Sequence, residues 1–393
     1  MRVTLIADDL TGACDTGALF AGRARVLVSV GVSAAGAERE VTAVDTESRG
    51  LEPAAAAARV STMARCLTPR LAQSVLFKKI DSTLRGPLGA ELEALLSTTG
   101  RRNALVCPAF PAQARTVRDG VLRVGGVPAH ESPIGRDPAY AGPTSKVADL
   151  VRRGSARPVF SLPLSRVRGD RELVARALDA ADHHIIVADA EADGDLDALA
   201  WAARDRPGLV LAGSAGLARA VAASLGYPEA RVPLPKGRAW LILGGSLQPA
   251  TRAQIQALEA WGITGVRLKG PQDPEAAPLI AELEHGRPVF IATSDEIATA
   301  PAARGDVAAR LARLAATLLA RSQPDLIMAM GGDTAVALLR ALGSDSIELL
   351  GVPASGLALG DLAVNASTRL PVLTKAGGFG DPDLLLNLLE GIV

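Results

Sequence analysis

Short apolar runs alternate with longer stretches of helical periodicity along the chain, and this alternation predicts β-strands separated by α-helices. In the first half the clearest apolar runs lie at 2–7, 25–30, 41–44, 74–77 and 103–107. Runs that are apolar at nearly every position are typical of strands buried on both faces of a parallel sheet. The pattern therefore predicts the α/β fold class, with mainly parallel sheets between layers of helices.

A polar stretch rich in proline separates two such α/β segments. Residues 226–237 contain three prolines, a composition typical of a linker between domains. At 393 residues the chain is also too long for one ordinary domain. We therefore predict two three-layer α/β domains, residues 1–228 and residues 229–393, with a cleft between them.

Charged and hydroxyl side chains follow several strands of the first half, at the strand ends where open α/β sheets bind ligands. Asp8 and Asp9 follow the first strand, and Arg49 lies shortly after the third. The densest cluster follows the strand at 74–77 and contains Lys79, Ile80, Asp81, Ser82 and Arg85. Lysine and arginine can hold a carboxylate or phosphate, and an aspartate can accept a proton from a hydroxyl group.

Structural roles could also explain these residues one at a time. Asp9 is well placed to cap the helix that follows the first strand. Asp45 could form a local salt bridge with Arg49, and the choice between that role and ligand binding stays open. Asp81 could pair with Arg85, but its cluster carries more charge than a helix cap needs. We therefore favour ligand binding for that cluster.

Glycine-rich turns follow three strands of the second half, at 244–246, 331–334 and 375–380. Glycine lets the backbone approach a phosphate closely, and the amino terminus of a helix attracts negative charge. Neither the P-loop pattern nor the dinucleotide-binding glycine pattern occurs. Three such turns still predict a nucleotide phosphate site, with ordinary tight loops as the alternative. The turns include Gly332, Asp333, Lys375 and Gly378.

Composition limits the classes of partner. The chain has 42 lysines and arginines and 42 aspartates and glutamates, and this balance argues against binding to nucleic acid or to an anionic membrane. The three cysteines lie far apart and the four histidines have no zinc-ligand spacing, so we expect a reducing compartment and no metal site built by the protein. With no apolar leader or membrane span in the sequence, we expect a cytoplasmic protein.

The two halves therefore suggest different ligands. The charged turns of the first half suit a small polyhydroxylated anion, and the glycine turns of the second half suit phosphates. Together they predict phosphoryl transfer, with Asp9 or Asp81 as the carboxylate that orients the acceptor hydroxyl.

Taken together, these motifs resemble the four-carbon acid sugar kinase family. The resemblance extends over essentially the whole chain and rests on the segments at 7–13, 45–49, 78–86, 331–334 and 375–380. It implies an amino-terminal sugar-acid domain and a carboxyl-terminal nucleotide domain. It also implies phosphorylation by ATP of the terminal hydroxyl of acids such as D-threonate, D-erythronate or 3-oxotetronate.

The resemblance also implies roles for individual residues. Asp9, Arg49 and residues 79–82 become sugar-acid contacts. The implied ATP contacts are Ser246, Gly331, Gly332, Asp333, Thr334 and Gly377. From their charge, Arg49, Lys79 and Arg85 are the candidates for holding the substrate carboxylate.

Mg²⁺ is expected from the reaction class. One alternative is a non-catalytic protein that closes on a sugar acid or nucleotide and senses it. Another is an NAD-dependent dehydrogenase, which the lack of a dinucleotide-binding motif disfavours. The sequence leaves a homo-oligomer open.

Overall fold

The computed structural model describes residues 2–31, 39–71, 74–137, 140, 142–179, 183–269, 273–294, 304–364 and 368–391. The chain forms two compact units, Met1–Glu229 and Ala230–Val393. Both consist of helices packed with mostly parallel strands, so the predicted α/β fold class is confirmed. None of the described helices is long and apolar enough to cross a lipid bilayer.

The first unit is built around a parallel sheet with a small antiparallel meander beside it. Its strands are β1 (Arg2–Ala7), β2 (Val26–Val30), β3 (Val41–Asp45), β4 (Ser74–Lys79), β5 (Asn103–Cys107), β6 (Arg115–Arg118), β7 (Val121–Val124), β8 (Val127–Pro128), β9 (Val159–Leu162), β10 (Ile185–Ala188) and β11 (Leu209–Gly213). The parallel sheet has the order β2-β3-β1-β4-β11-β5-β10-β9. Every residue of β3, β4 and β11 is buried, as expected for strands covered on both faces.

The helices of the first unit connect these strands. They are α1 (Leu10–Ala18), α2 (Pro53–Leu71), α3 (Leu88–Thr99), α4 (Val147–Arg152), α5 (Leu164–Val167), α6 (Arg171–Asp179), α7 (Asp193–Ala203) and α8 (Ala215–Ser224). From β1 the chain winds to one side through β2 and β3, and it then returns to form β4 on the other side of β1. This reversal of strand order between β1 and β4 creates the crevice where open α/β sheets bind ligands.

The meander of β6, β7 and β8 is fastened to the main sheet by one carboxylate. Both of its turns use residues with positive φ, which match the twist of tight hairpins. Asp189, after β10, accepts hydrogen bonds from the backbone N–H groups of Asp119 and Gly120, both at 2.9 Å, and of Leu164 at 3.1 Å. The turn between β6 and β7 is therefore held at the carboxyl end of β10.

The second unit has its own sheet. Its strands are β12 (Trp240–Gly244), β13 (Thr264–Leu268), β14 (Val289–Thr293), β15 (Leu326–Met330), β16 (Ser346–Gly351), β17 (Leu357–Ala363) and β18 (Arg369–Lys375), and its helices are α9 (Pro249–Ala260), α10 (Ala277–Glu284), α11 (Arg304–Leu319), α12 (Gly332–Ala341) and α13 (Leu384–Glu390). The order is β13-β14-β12-β15-β18-β17-β16, and only β17 runs antiparallel to its neighbours. Since β12, β15 and β18 are adjacent and parallel, their carboxyl ends share one edge.

Close packing of α3 against the end of α4 gives a test of this fold. Gly89 is the second residue of α3, and a Cβ atom there would lie 2.0 Å from the carbonyl oxygen of Val151. We expect Gly89→Ala to lower the free energy of unfolding by about 1–3 kcal/mol, because backbone atoms would have to move.

The matched control for this variant is Gly194→Ala. Gly194 is also the second residue of a helix, α7, and a Cβ there meets nothing within 4 Å. Alanine at that position should leave stability unchanged or raise it by up to about 1 kcal/mol. Urea denaturation of both variants measures the difference. Equal effects would show that the α3–α4 contact does not constrain the fold.

Candidate functional site

Arg49 binds both carboxylates that follow β1. Its Nε donates to Oδ2 of Asp8 at 2.9 Å, and its Nη2 donates to Oδ1 of Asp8 at 2.8 Å, which makes the pair bidentate. The same Nη2 donates to Oδ1 of Asp9 at 2.7 Å. Arg49 therefore pairs with these two residues rather than with Asp45, whose Oδ1 accepts the N–H of Glu47 at 2.8 Å.

Asp9 has a structural role as well as a place at the crevice. It is the N-cap of α1, where Oδ1 accepts the N–H of Gly12 at 3.0 Å and Oδ2 accepts the hydroxyl of Thr11 at 2.8 Å. The helix-cap interpretation and the site interpretation of Asp9 are thus compatible, since one carboxylate serves both.

A second bidentate pair forms in the turn after β4. Nε of Arg85 donates to Oδ2 of Asp81 at 2.8 Å, and Nη2 donates to Oδ1 at 3.0 Å. The hydroxyl of Thr83 also donates to Asp81. Burial alone would raise the pKa of Asp81, but Arg85 and Arg49 hold it well below its usual range. Asp81 is therefore a firmly ionised carboxylate whose oxygens are already occupied.

Other residues of this turn act through the backbone. Ile80 is buried, and its N–H donates to the carbonyl oxygen of Gly213 at 3.0 Å, which joins the turn to the end of β11. Leu84 has a φ of 62°, a conformation that non-glycine residues adopt at a cost of about 1–3 kcal/mol. Ser82 is half-buried between them. The surrounding contacts therefore hold the turn in one fixed conformation.

The two lysines that end β4 have different environments. Nζ of Lys78 pairs with Oε2 of Glu91 on α3 at 2.9 Å, and both side chains are buried. Ser48 donates its hydroxyl to the same carboxylate, so this network anchors the loop that carries Arg49. Lys79 donates only to the carbonyl oxygen of Ile80, at 3.1 Å. No carboxylate of the described residues lies within ion-pair distance of Lys79.

Asp15 is a residue that its place in the sequence, in the first turns of α1, already allows to face the site, although the sequence gives it no specific role. It lies on α1, half-buried, and it has neither a hydrogen bond nor an ion pair to any described residue. Burial raises its pKa to about 6, an effect that the charge of Asp9 reinforces and that of Lys79 opposes. Its position in the first turns of α1, directly after the charged end of β1, is the signal for it in the sequence.

Buried carboxyl groups at this edge differ in the direction in which their pKa is shifted. For Asp8, burial would raise the pKa, but the charges of Arg49, Lys78 and Lys79 together lower it. For Asp45, burial raises the pKa well above its usual range, and Oδ2 is buried without a hydrogen-bond partner. An arginine partner thus offsets the effect of burial on the pKa of Asp8, whereas Asp45, which has no arginine partner among the described residues, keeps a raised pKa.

The three glycine-rich turns of the second unit lie together around Ser246. A Cβ atom on Gly377 would lie 2.0 Å from Oγ and 2.7 Å from Cβ of Ser246, and one on Gly331 would lie 3.1 Å from Cβ of Ser246. Gly331 also has a φ of 106° and is the N-cap of α12. Side chains at the two glycine positions would fill the space, so the turns form a cradle lined by backbone.

Lys375 holds the third glycine-rich turn together through hydrogen bonds to its backbone. Its side chain is buried, and Nζ donates to the carbonyl oxygens of Ala376 at 3.0 Å and Phe379 at 2.9 Å. Burial lowers its pKa to about 7. The structure therefore places this lysine inside its own loop, whose shape it fixes.

The remaining predicted nucleotide contacts lie at the start of α12 and in the third glycine-rich turn, residues 375–380. Thr334 is buried against Gly245, where a Cβ atom would lie 2.2 Å from its Oγ1. Asp333 is exposed in the first turn of α12, which begins at Gly332. Gly378 borders open space, since the nearest atom to a Cβ there is 3.7 Å away.

Two family models match the chain. A model described as a sugar-binding N-terminal domain matches residues 3–221, and a model described as a nucleotide-binding C-terminal domain matches residues 241–385. The charged crevice falls within the first match and the glycine cradle within the second.

Curated relatives match the chain over nearly its whole length. It is 36% identical to a D-threonate kinase of Bordetella bronchiseptica, covering 99% of this chain and 97% of the relative. It is 34% identical to a 3-oxo-tetronate kinase of Methylobacterium radiotolerans, covering 98% of each. It is 31% identical to a D-threonate kinase of Salmonella typhimurium, covering 99% and 98%.

Solved structures match as well. A Haemophilus influenzae protein superposes with a TM-score of 0.73 at 20% identity over 99% of this chain and 100% of that one, a likeness of fold alone. A Bordetella bronchiseptica protein is 33% identical with a TM-score of 0.52, covering 100% of this chain and 98% of that one. The latter contains bound citrate and is described as a domain-swapped dimer.

The pairing of Arg49 with a buried carboxylate predicts a large stability effect. Asp8 is only 3% exposed, so Arg49→Met would leave its buried charge without its hydrogen-bonded partner, with only Lys78 and Lys79 nearby. We expect the free energy of unfolding to fall by about 3–5 kcal/mol. The double variant with Asp8→Asn should recover part of this loss, because the uncompensated charge is then absent.

A surface arginine provides the control for this measurement. Arg176 is 77% exposed, with Glu172 at 3.9 Å, so Arg176→Met should change stability by less than about 0.5 kcal/mol. Urea denaturation followed by circular dichroism compares the variants. An Arg49→Met variant as stable as Arg176→Met would contradict the importance of the buried pair.

Proposed function

The chain belongs to the four-carbon acid sugar kinase family, and on that premise we propose that it transfers a phosphoryl group from ATP to the terminal hydroxyl of a four-carbon sugar acid. The relatives' names support an acid of the threonate, erythronate or 3-oxotetronate type. The observation that supports the proposal is the difference between the two candidate sites. The crevice of the first unit is lined by charged side chains, and the cradle of the second is lined by backbone.

In this proposal, residues 1–228 bind the sugar acid and residues 229–393 bind the nucleotide. The acid is held by Asp8, Asp9, Arg49 and the turn after β4. The partners of the protein are then small molecules. The domain-swapped dimer described for the Bordetella protein supports a homo-oligomer of this chain.

The nucleotide phosphates would lie on the cradle around Ser246. Backbone N–H groups at the start of α12 and the positive end of its dipole favour negative charge there. Because Gly331 and Gly377 have no side chains, phosphate oxygens can approach the backbone closely there.

Mg²⁺ fits this site as an ion that arrives with the nucleotide. The described residues contain no group of three or more His, Cys, Asp or Glu side chains that could hold a metal ion. Magnesium that is bound to substrate phosphates needs only one or two protein carboxylates, and Asp333 offers one beside the glycine turns. When bound, Mg²⁺ would neutralise charge on the phosphates.

For proton acceptance, the geometry favours Asp15 over the two carboxylates favoured by the sequence. The oxygens of Asp9 and Asp81 already accept hydrogen bonds from backbone, hydroxyl or guanidinium groups. Asp15 has no such partner, and a pKa of about 6 suits a base that works near neutral pH. Asp9 and Asp81 then serve to orient the acid and its hydroxyl groups.

The proposed activity is tested by incubating the protein with ATP, Mg²⁺ and a panel of four-carbon acids. We expect ADP to form with at least one of D-threonate, D-erythronate and 3-oxotetronate. Gly377→Ala should raise KM for ATP by about tenfold or more, because its Cβ would displace Ser246 from the cradle.

A glycine with free space around it is the control for that variant. Gly208→Ala should behave as the wild type, since a Cβ there meets nothing within 4 Å. Binding of acid and nucleotide without any ADP formation would favour a sensing protein. If the protein neither bound nor turned over any of the acids, the proposal would be refuted.

A pH profile tests the role of Asp15. A base must be ionised to accept a proton, so kcat/KM for the acid should rise with pH through about 6 and then level off. Asp15→Asn should lose about 10²–10⁴-fold in kcat and lack this rise. Asp205→Asn, at a side chain that is 74% exposed, is the control. A variant that keeps both rate and profile would exclude Asp15 as the base.

A further inference from the structure

Most cations near the crevice are already occupied by protein carboxylates. Arg49 is bidentate to Asp8, and Arg85 is bidentate to Asp81. In both pairs the aspartate occupies Nε and Nη2, so a substrate carboxylate could take that fork only by releasing a buried aspartate, which would cost several kcal/mol. Arg49 can still offer single hydrogen bonds to the acid, but a carboxylate held by this fork of a guanidinium needs a different arginine.

Arg115, which the sequence does not single out, is such a cation. It makes no side-chain hydrogen bond and no ion pair to any described residue, and its Nε is buried without a partner. We infer that Arg115 binds the carboxylate of the sugar acid and determines the preference for an acid over a neutral polyol. This inference rests on the proposed function and names the part of the substrate that the residue recognises.

A chain of hydrogen bonds fixes Arg115 relative to the turn after β4. Arg115 and Phe110 exchange backbone hydrogen bonds of 2.8 and 3.1 Å, which close the loop that leaves β5. Ser214, at the end of β11, donates its hydroxyl to the carbonyl oxygen of Ala109 in that loop at 2.7 Å. The end of β11 is bonded in turn to Ile80, because β11 lies between β4 and β5. Arg115 thus starts β6 at the same edge of the sheet.

The electrostatic surroundings agree with this position. Burial lowers the pKa of Arg115, the charge of Asp81 opposes that effect, and the charge of Arg85 adds to it. The guanidinium therefore lies within range of both members of the Asp81–Arg85 pair. A partly buried guanidinium without an acceptor is unfavourable, and a carboxylate held by its planar fork would supply the hydrogen bonds that it lacks.

Lys79 is less suited to this task. Its Nζ lies close to Gly12, where a Cβ atom would be only 2.9 Å away, and its charge acts on Asp15. A compact ammonium beside the proposed base suits the reacting hydroxyl and the incoming phosphoryl group, whereas a guanidinium suits a planar carboxylate.

Two arginines on β6 allow a matched test of this inference. Arg118 is 59% exposed and meets Glu191 at 3.4 Å on the surface. We compare Arg115→Met and Arg118→Met with D-threonate and with its neutral amide as phosphoryl acceptors, using ATP and Mg²⁺. Arg115→Met should raise KM for the acid by about 10–100-fold, the range expected for losing charge-assisted hydrogen bonds, with kcat little changed.

The neutral amide separates carboxylate recognition from a structural effect. Its KM should rise much less than that of the acid in Arg115→Met, because its carbonyl oxygen carries no charge and can accept only a weaker hydrogen bond from the guanidinium. Arg115→Lys should recover part of the affinity for the acid, and Arg118→Met should match the wild type. An equal loss for acid and amide, or an unchanged KM for the acid, would overturn the inference.

Calorimetric titration of D-threonate, D-erythronate and 3-oxotetronate into the same variants keeps this test separate from catalysis. Weaker binding of an acid to Arg115→Met than to Arg118→Met supports the inference even if no ADP forms, in which case only the kinase proposal fails. Equal binding to both variants, or no binding of any acid to the wild type, overturns it.

Discussion

The first unit depends on keeping two buried carboxylates ionised at the ends of neighbouring strands. Asp8 follows β1 and Asp81 follows β4, and each is gripped by the fork of one arginine. An isolated buried charge costs several kcal/mol, so the loops that carry Arg49 and Arg85 must close for the unit to be stable. The buried Lys78–Glu91 pair and its serine partner hold the Arg49 loop in turn. Charge compensation thus fixes the shape of the crevice before any ligand arrives.

Much of the architecture could be read from the sequence because strands buried on both faces leave a local signal. The run at 74–77 identified β4, although the strand extends to Lys79 and buries both of its lysines. Strand order could not be predicted in the same way, since it depends on packing between segments that are distant in the sequence. The three glycine turns could be recognised singly. Their gathering around Ser246 follows from the adjacency of β12, β15 and β18, which no local pattern encodes.

The sequence could predict most of the residues that form the site, but only partly which of them pair with each other. The sequence offered Asp45 as a local salt-bridge partner of Arg49, with ligand binding as the alternative, but in the folded chain Arg49 forms a bidentate pair with Asp8, 41 positions away. Lys375 looked like a phosphate ligand, yet its ammonium lies on carbonyl groups of its own loop. Arg115 belongs to no motif, because its proposed role rests on a side chain that makes no hydrogen bond to any residue that the structure describes.

In the proposed function, the contrast between the two sites follows from the ligand that each would have to recognise. A cradle of backbone groups recognises phosphates, which every nucleotide triphosphate shares, and it tolerates change in surrounding side chains. A crevice of side chains reads the charge and hydroxyl pattern of a small acid, and single substitutions can alter it. Relatives named for threonate and for 3-oxo-tetronate are about equally similar to this chain, at 36% and 34% identity. Differences in acid preference should therefore lie in side chains of the first unit, beyond the arginines that its own aspartates already hold.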